Sequence, residues 1–247
     1  MVIKKLMSIM ILMSLFVAVF ARELKYFQSV GWYPLTMKDP QSGKYYGLSI
    51  DLMNQIVKEL GTKAEFFDIP WKRGFCQLDS GDMDICAGAY ENQERKDKYL
   101  LSIPFLVNET RLFVRKDSPI YFNELDNLRG KHIGKSLGSS FGNEFDQFAQ
   151  KYINLTENAN GKEALFEMLL LKRLDGVLMD YYDGMNYLKK NKLDKEIIPL
   201  EKPVNTVNVH LLISKKSTFA GEINDINRII NKLKKKGFFK EILSKYK

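Results

Sequence analysis

The chain has 247 residues, a formal net charge of +8 and an apolar fraction of 45%, which is enough sequence for two domains with cores of their own. The basic residues are spread along the chain and form no nucleic-acid-binding motif, so we expect no nucleic-acid partner. His132 and His210 are far apart in the sequence and neither has a neighbouring Cys or His, so we expect no metal site and no cofactor.

The N-terminus has the pattern of an export signal. Lys4 and Lys5 precede an apolar run over residues 6–20, and the small residue Ala21 ends the run. This pattern predicts a secretory signal peptide over residues 1–21, cleaved after Ala21, and a periplasmic mature chain. A membrane anchor is the alternative, but a spanning helix needs about 20 apolar residues and this run is shorter.

The first half of the mature chain alternates between strands and helices. We predict strands at residues 24–30, 64–68 and 83–87, a helix at residues 50–60 and a second helix from Pro70 to Gly81. Trp32 follows the first strand and Trp71 opens the second helix. Cys76 and Cys86 enter an oxidising compartment, but sequence cannot show whether they lie close enough for a disulfide, so that question stays open.

The polar stretch after the third strand holds the first candidate for ligand binding. The strand is predicted to stop at Gly88 and to open into polar residues that include Arg95. Open α/β sheets bind ligands at the carboxyl ends of their strands. A guanidinium presents a planar fork of donors that matches a carboxylate. The alternative is a solvated surface charge, because acidic and basic residues surround Arg95 in the sequence.

The second half repeats this pattern. An apolar run at residues 110–115 and a short helix at 123–128 lead to a strand from Lys131 and a Gly/Ser turn with Ser139 and Ser140. By the same hydrophobic periodicity, we predict helices at residues 142–152, 161–174 and 181–189 and one or two closing helices over residues 223–246. Strands are predicted at residues 176–180 and 210–214. Serines at a helix N-terminus offer hydroxyl and N–H groups to an anion, or act as an ordinary cap.

The two halves predict two α/β lobes. A helix end, an Asp and a buried strand occur at Asp84 and again about ninety residues later at Asp175. We predict that residues 22–107 and 208–247 form lobe 1 and that residues 108–207 form lobe 2. No low-complexity linker separates them, so strands must connect them.

Seven segments, in register along nearly the whole mature chain, carry a family resemblance. They are residues 47–52 (Gly-Leu-Ser-Ile-Asp-Leu), 81–84 (Gly-Asp-Met-Asp), 94–96 (Glu-Arg-Lys), 101–105 (Leu-Ser-Ile-Pro-Phe), 128–134 (Leu-Arg-Gly-Lys-His-Ile-Gly), 138–140 (Gly-Ser-Ser) and 174–180 (Leu-Asp-Gly-Val-Leu-Met-Asp). With these segments the chain resembles the extracellular solute-binding proteins of family 3. The resemblance implies the type II periplasmic-binding-protein-like fold: two open α/β sheets joined by a two-strand hinge that closes on the ligand.

The resemblance also implies roles for individual residues. Arg95, Ser139 and Ser140 match the positions that hold the ligand α-carboxylate, and Asp180 matches the acid that holds the α-ammonium. Trp32 and Trp71 match aromatic positions beside the ligand side chain, although core packing is the alternative for both. For Asp180 the alternative is an N-cap of the following helix.

One departure from the family pattern affects the ligand. Gly88, Ala89 and Tyr90 stand where amino-acid-binding members carry Ser or Thr before the arginine loop. Carboxylate contacts are therefore lost or replaced there, and we count Tyr90 among the ligand-binding residues.

The resemblance implies a monomeric binding protein, not an enzyme, with no catalytic residues. Its ligand would be an amino acid or related small carboxylate, delivered to a membrane permease of an ABC transporter. A sensor that presents its ligand to a membrane receptor, and a dehydratase-like enzyme on the same fold, are the alternatives. An enzyme would need a positioned acid or base, for which Asp180 and Glu91 are the candidates.

Overall fold

The computed structural model describes residues 22–245. The predicted signal peptide and the last residue of the predicted closing helices, Tyr246, lie outside this range. Within residues 22–245, no helix combines the length and the apolar composition that a membrane crossing requires.

Strands and helices alternate along the chain. The strands are β1 Glu23–Gln28, β2 Met37–Lys38, β3 Tyr45–Tyr46, β4 Lys63–Asp68, β5 Ile85–Tyr90, β6 Tyr99–Leu101, β7 Leu106–Arg115, β8 His132–Ser136, β9 Asn154–Asn158, β10 Gly176–Asp180, β11 Ile197–Pro199 and β12 Asn205–Ser214. The helices are α1 Leu48–Leu60, α2 Trp71–Ser80, α3 Gln93–Lys98, α4 Asn143–Tyr152, α5 Gly161–Leu170, α6 Tyr181–Lys190, α7 Ile223–Lys235 and α8 Phe238–Lys245. Short 3-10 helices occupy Leu125–Leu128 and Ala220–Glu222.

The strands form two parallel groups on either side of an antiparallel pair. Hydrogen bonding gives the order β4-β1-β5-β12-β7-β10-β8-β9, with β6 on β12 and β11 on β7. Strands β4, β1 and β5 run parallel on one side, which we call the β1 side. Strands β10, β8 and β9 run parallel on the other, which we call the β10 side. Parallel strands with helical crossovers are the expected architecture for an alternating α/β pattern.

Strands β7 and β12 connect the two groups. They pair with each other antiparallel, from Asn205 on Thr110 to Val209 on Leu106. Beyond that segment β12 pairs with β5 and β7 pairs with β10. The two-strand hinge is therefore part of one continuous hydrogen-bonded sheet of ten strands, eight of which form a single path. Sheet connectivity does not separate the lobes, and the limits at residues 107/108 and 207/208 stay a prediction.

Local sequence explains where α1 and α2 lie. Gly61 ends α1 in a left-handed conformation, with φ of 65°, which glycine adopts at little cost. Gly74 lets α2 approach β1 closely, because a Cβ at this position would lie 2.1 Å from Cε2 of Phe27. This close packing fixes α2, and with it Trp71, beside the carboxyl end of β1.

Several boundaries differ from the sequence prediction. Strand β5 continues past Gly88 to Tyr90, because Ala89 and Tyr90 pair with β12. The stretch with Arg95, predicted to be a turn, is the helix α3, and the side chain of Asn92 caps its N-terminus. The helix predicted over residues 161–174 ends at Leu170.

The two cysteines are not bridged. Cys76 is exposed on α2, whereas Cys86 is fully buried in β5. Burial raises the pKa of the Cys86 thiol to about 12, so this side chain behaves as a small apolar core residue.

Candidate functional site

A cleft lies where the carboxyl ends of the parallel strands of both sides meet. Its volume is about 230 Å³. The lining includes residues that end or follow β1, β5, β8, β9 and β10: Ser29, Val30, Gly31, Trp32, Tyr90, Arg95, Ser136, Leu137, Ser139, Ser140, Phe141, Asn158, Ala159, Asp180 and Asp183. Trp71, Lys72 and Lys162 complete much of the wall. All seven residues predicted from the sequence to bind the ligand therefore line one cleft.

Arg95 is a buried cation in the lining of the cleft. Its side chain is 7% exposed, so it is not the solvated surface charge of the alternative interpretation. The backbone N–H of Arg95 donates to Asn92 Oδ1 at 2.8 Å, and its Nη1 donates to the carbonyl oxygen of Tyr90 at 2.6 Å. The guanidinium carbon lies 4.7 Å from the ring centroid of Phe75. Burial lowers the pKa of Arg95.

Arg95 has no anionic partner in the part of the chain that the structure describes. No carboxylate between residues 22 and 245 approaches its guanidinium within ion-pair distance. The carboxylate of Asp146 interacts with it electrostatically only at longer range. Buried charges in proteins are normally paired, because an isolated ion loses its hydration. The vacant donors of Arg95 therefore make the cleft attractive to an anion.

Asp180 ends β10 and caps α6, as the alternative interpretation proposed. One carboxylate oxygen, Oδ1, accepts from the N–H groups of Tyr182 at 3.1 Å and Asp183 at 3.2 Å. The other, Oδ2, accepts from the hydroxyl of Tyr90 at 2.7 Å and from the amide of Asn108. Burial raises the pKa of Asp180 to about 7, although the hydrogen bond from Tyr90 acts in the opposite direction.

Aromatic rings form one wall of the cleft. The ring centroid of Trp32 lies 5.8 Å from that of Trp71 and 5.3 Å from that of Tyr90. Trp71 also stacks on Phe75 at 5.4 Å and meets the edge of Phe27. Trp71 thus takes part in core packing and lines the cleft at the same time, and its contact with a ligand stays a prediction.

The hydroxyl groups of Ser139 and Ser140 bond to protein partners. Ser139 Oγ donates to the carbonyl oxygen of Ser136 at 2.6 Å. Ser140 Oγ donates to the carboxylate of Asp146 and accepts from Asn92 Nδ2 at 3.0 Å. Both serines line the cleft, but their hydroxyl protons are used in holding the turn before α4.

Comparison with known proteins decides the family. The model of the bacterial extracellular solute-binding proteins, family 3, matches residues 24–247. The chain belongs to this family.

Curated relatives of this family 3 protein are solute-binding proteins of low identity. The L-cystine-binding protein TcyA of Bacillus subtilis is 26% identical over 216 residues, which cover 86% of this chain and 76% of the relative. The L-cystine-binding protein TcyJ of Escherichia coli K12 is 26% identical over 161 residues, 65% of this chain and 60% of TcyJ. The putative amino-acid ABC transporter-binding protein PatH of Vibrio harveyi is 26% identical over 183 residues, 72% of this chain and 70% of PatH.

Solved structures share the fold of this family 3 protein. An ancestral arginine-binding protein bound to arginine superposes with a TM-score of 0.78 at 26% identity, covering 92% of this chain and 99% of that one. Holo ArgBP from T. maritima superposes with a TM-score of 0.73 at 20% identity, covering 86% of this chain and 90% of that one. The predicted two-lobed α/β fold of type II is confirmed by these likenesses.

Sequence reasoning missed an ion pair in the cleft of this family 3 protein. Lys162, at the start of α5, pairs with Asp183 in the first turn of α6. Lys162 Nζ also donates to the carbonyl oxygen of Gly31 at 2.5 Å, and Asp183 Oδ1 accepts from the N–H of Tyr33 at 3.0 Å. Burial raises the pKa of Asp183, and Lys162 opposes that change. The position of Asp183, one helical turn after Asp180, was the only signal in the sequence.

Proposed function

We propose that this protein captures a small solute through a carboxylate held at Arg95, and delivers it to the permease of an ABC transporter. The solute is an amino acid or a related small carboxylate. The buried guanidinium of Arg95 in the cleft, which has no ion-pair partner among residues 22–245, is the observation that carries the proposal. In this proposal the mature chain is a periplasmic monomer released from the predicted signal peptide.

Electrostatics supports an anionic ligand. A desolvated Arg–carboxylate pair joined by two parallel hydrogen bonds is among the strong polar contacts in proteins. Arg95 has no ion-pair partner among the described residues of the folded protein. A bound carboxylate compensates this charge, and the compensation contributes to the binding free energy. Lys72 at the rim adds further positive charge to the same cleft.

Contacts across the cleft support binding by closure. Asn92 and Gln93, next to Arg95, bond to Ser140 and Asn143 of the β10 side at 3.0 and 2.8 Å. A ligand that contacts both sides of a cleft binds the closed arrangement more tightly than the open one, and therefore favours closure. In our proposal the ligand adds its own contacts to these and holds the two sides together.

The test is a binding screen of the purified protein with matched variants. Thermal shifts are recorded with amino acids, small carboxylates and amines, because a ligand at about 100 times its Kd adds about 2.7 kcal/mol of stability. Arg95→Gln should then reduce the affinity for a carboxylate by at least about 30-fold, since truncating one partner of a buried charge pair costs about 2–5 kcal/mol. The control, Arg228→Gln, removes an exposed arginine of α7 and should leave the affinity unchanged.

Two outcomes would contradict the proposed function. One is a screen in which amines shift the melting temperature and carboxylates do not. The other is a carboxylate that binds wild type and Arg95→Gln equally, since the guanidinium would then not contact the ligand.

One observation bears on the enzymatic alternative. Asp180 has a pKa raised to about 7 at the cleft, and general acids are tuned to this range. Among structural neighbours is the ancestral amino acid-binding protein AncCDT-1, described as a precursor of cyclohexadienyl dehydratase, at 22% identity and a TM-score of 0.73. Asp180, however, is surrounded by hydrogen-bond donors of the protein itself. Bound solute that is recovered unchanged after prolonged incubation would support binding without turnover.

A further inference from the structure

The carboxylate of Asp180 has no acceptor position left for a ligand. Two carboxylate oxygens offer about four lone-pair sites. Here Oδ1 accepts from the N–H groups of Tyr182 and Asp183, and Oδ2 accepts from Tyr90 and Asn108. The side chain is only 4% exposed. A ligand ammonium would have to displace one of these donors before it could contact Asp180.

Tyr90 lies between the cation and the anion of the cleft. Its carbonyl oxygen accepts from Arg95 Nη1 at 2.6 Å, and its hydroxyl donates to Asp180 Oδ2 at 2.7 Å. In an α-amino acid a single carbon separates the carboxylate from the ammonium, so both groups must reach neighbouring protein atoms at once. The tyrosine side chain occupies the position next to Asp180 that the ammonium would need.

The second acid of the cleft is also compensated. Asp183 forms an ion pair with Lys162, and the side chains of Asp183 and Lys162 are 9% and 17% exposed. The pair is neutral as a unit, whereas Arg95 has no such partner among the described residues. The rings of Trp32 and Trp71 provide an apolar wall of the remaining lining, beside polar residues such as Lys72 and Asn158.

From this geometry, and given the proposed function, we infer that the ligand is an amine-free carboxylate with an apolar or aromatic body. Its carboxylate binds Arg95, and its body packs on Trp32 and Trp71. Tyr90 is the specificity-determining residue, because its hydroxyl occupies Asp180 and so excludes an α-ammonium. Specificity of this kind comes from leaving the wrong ligand with an unpaired buried charge.

The experiment compares matched pairs of ligands that differ only in the amino group. Isothermal titration calorimetry is carried out with 3-phenylpropionate and L-phenylalanine, 4-methylpentanoate and L-leucine, and propionate and L-alanine. We expect the amine-free member of at least one pair to have a Kd at least about tenfold lower than that of its amino acid.

Two variants test the roles of Tyr90 and Asp180. Tyr90→Phe keeps the ring but frees one acceptor position at Asp180. It should therefore reduce the ratio of the Kd of the amino acid to the Kd of its amine-free partner by about tenfold. Asp180→Asn should change the Kd of the amine-free member by less than about threefold, because no ligand atom contacts it. The fold should tolerate this change: Asn caps a helix as well as Asp, and the buried, unpartnered Oδ1 of Asn108 can turn to accept from the new amide.

The remaining outcomes overturn the inference. If in every pair the amino acid binds as tightly as its amine-free partner or more tightly, the cleft does not exclude the ammonium. An advantage of the amino acid that is lost in Asp180→Asn would show in addition that Asp180 receives the ammonium. That result would leave the carboxylate site at Arg95, and so the proposed function, intact. If no carboxylate in the panel binds wild type at about 10 mM, the proposed function fails, and the inference that rests on it fails too.

Discussion

The contribution of Asp180 to the stability of this protein should decrease as pH rises through the titration range of this residue. In the folded protein burial raises the pKa of Asp180 to about 7 from an ordinary value of 3.8. The folded state therefore holds the proton more tightly than the unfolded chain does. By proton linkage, the contribution of Asp180 to the free energy of unfolding falls as pH rises between these two values and is level above the higher one.

The size of the effect follows from the same values. One pKa unit corresponds to about 1.4 kcal/mol, so the full window amounts to about 4 kcal/mol, of which about 3 kcal/mol falls between pH 5 and pH 8. His210 acts in the opposite direction over part of this range. Burial lowers its pKa, so its contribution to stability is lost as pH falls. Only a difference between two proteins that both contain His210 isolates the contribution of Asp180.

The assay is urea unfolding of wild type and Asp180→Asn at about pH 5 and about pH 8. From the lower to the higher pH, the free energy of unfolding of wild type should fall by about 3 kcal/mol more than that of the variant, because the amide does not titrate. Asp194→Asn, at an exposed position, is the control and should follow wild type. If wild type and Asp180→Asn change in parallel to within about 0.5 kcal/mol, the carboxyl titrates in its ordinary range and its burial does not affect stability as argued.

Two further predictions concern the cleft and the core. Lys162→Met leaves Asp183 without its cation, and the melting temperature should fall clearly, because breaking a buried pair on one side costs about 3–5 kcal/mol. Adding Asp183→Leu should recover part of this loss. If the double variant shows no recovery, the ion pair is not the cause of the loss. Under native conditions a maleimide should label the exposed Cys76 and leave Cys86 unlabelled until urea unfolds the chain; early labelling of Cys86 would contradict its burial.

The order of elements was predictable because it depends on local chemistry. Gly61 and Gly81 stop α1 and α2 at the positions where left-handed backbone is needed, with φ of 65° and 90°. The strand over residues 176–180 was predicted at its observed limits, because all of its residues are buried and the apolar run at residues 177–179 lies between Gly176 and Asp180. The seven family segments then fixed the architecture beyond what periodicity alone shows.

Boundaries were wrong where a partner strand overrides the local pattern. Residues 205–208 are mostly polar and lie before the strand predicted at residues 210–214, yet they form the first part of β12 because β7 pairs with them. Strand β5 likewise runs to Tyr90 against β12. The backbone of such a strand gains its hydrogen bonds from neighbours far away in the sequence, which hydrophobic periodicity does not report.

The location of the site was predictable, whereas the state of its side chains was not. Arg95 is surrounded in sequence by charged residues that are typical of a solvated face, and only its place on α3 behind Tyr90 buries it. The bond between Tyr90 and Asp180 joins residues ninety positions apart on opposite sides of the cleft. Family motifs identify Asp180 from its position at the end of a strand, but its chemistry depends on which groups already donate to it. A tyrosine hydroxyl at that oxygen gives the same aspartate a structural role, so the ligand of this protein has to be inferred from its hydrogen-bond partners and not from the motif.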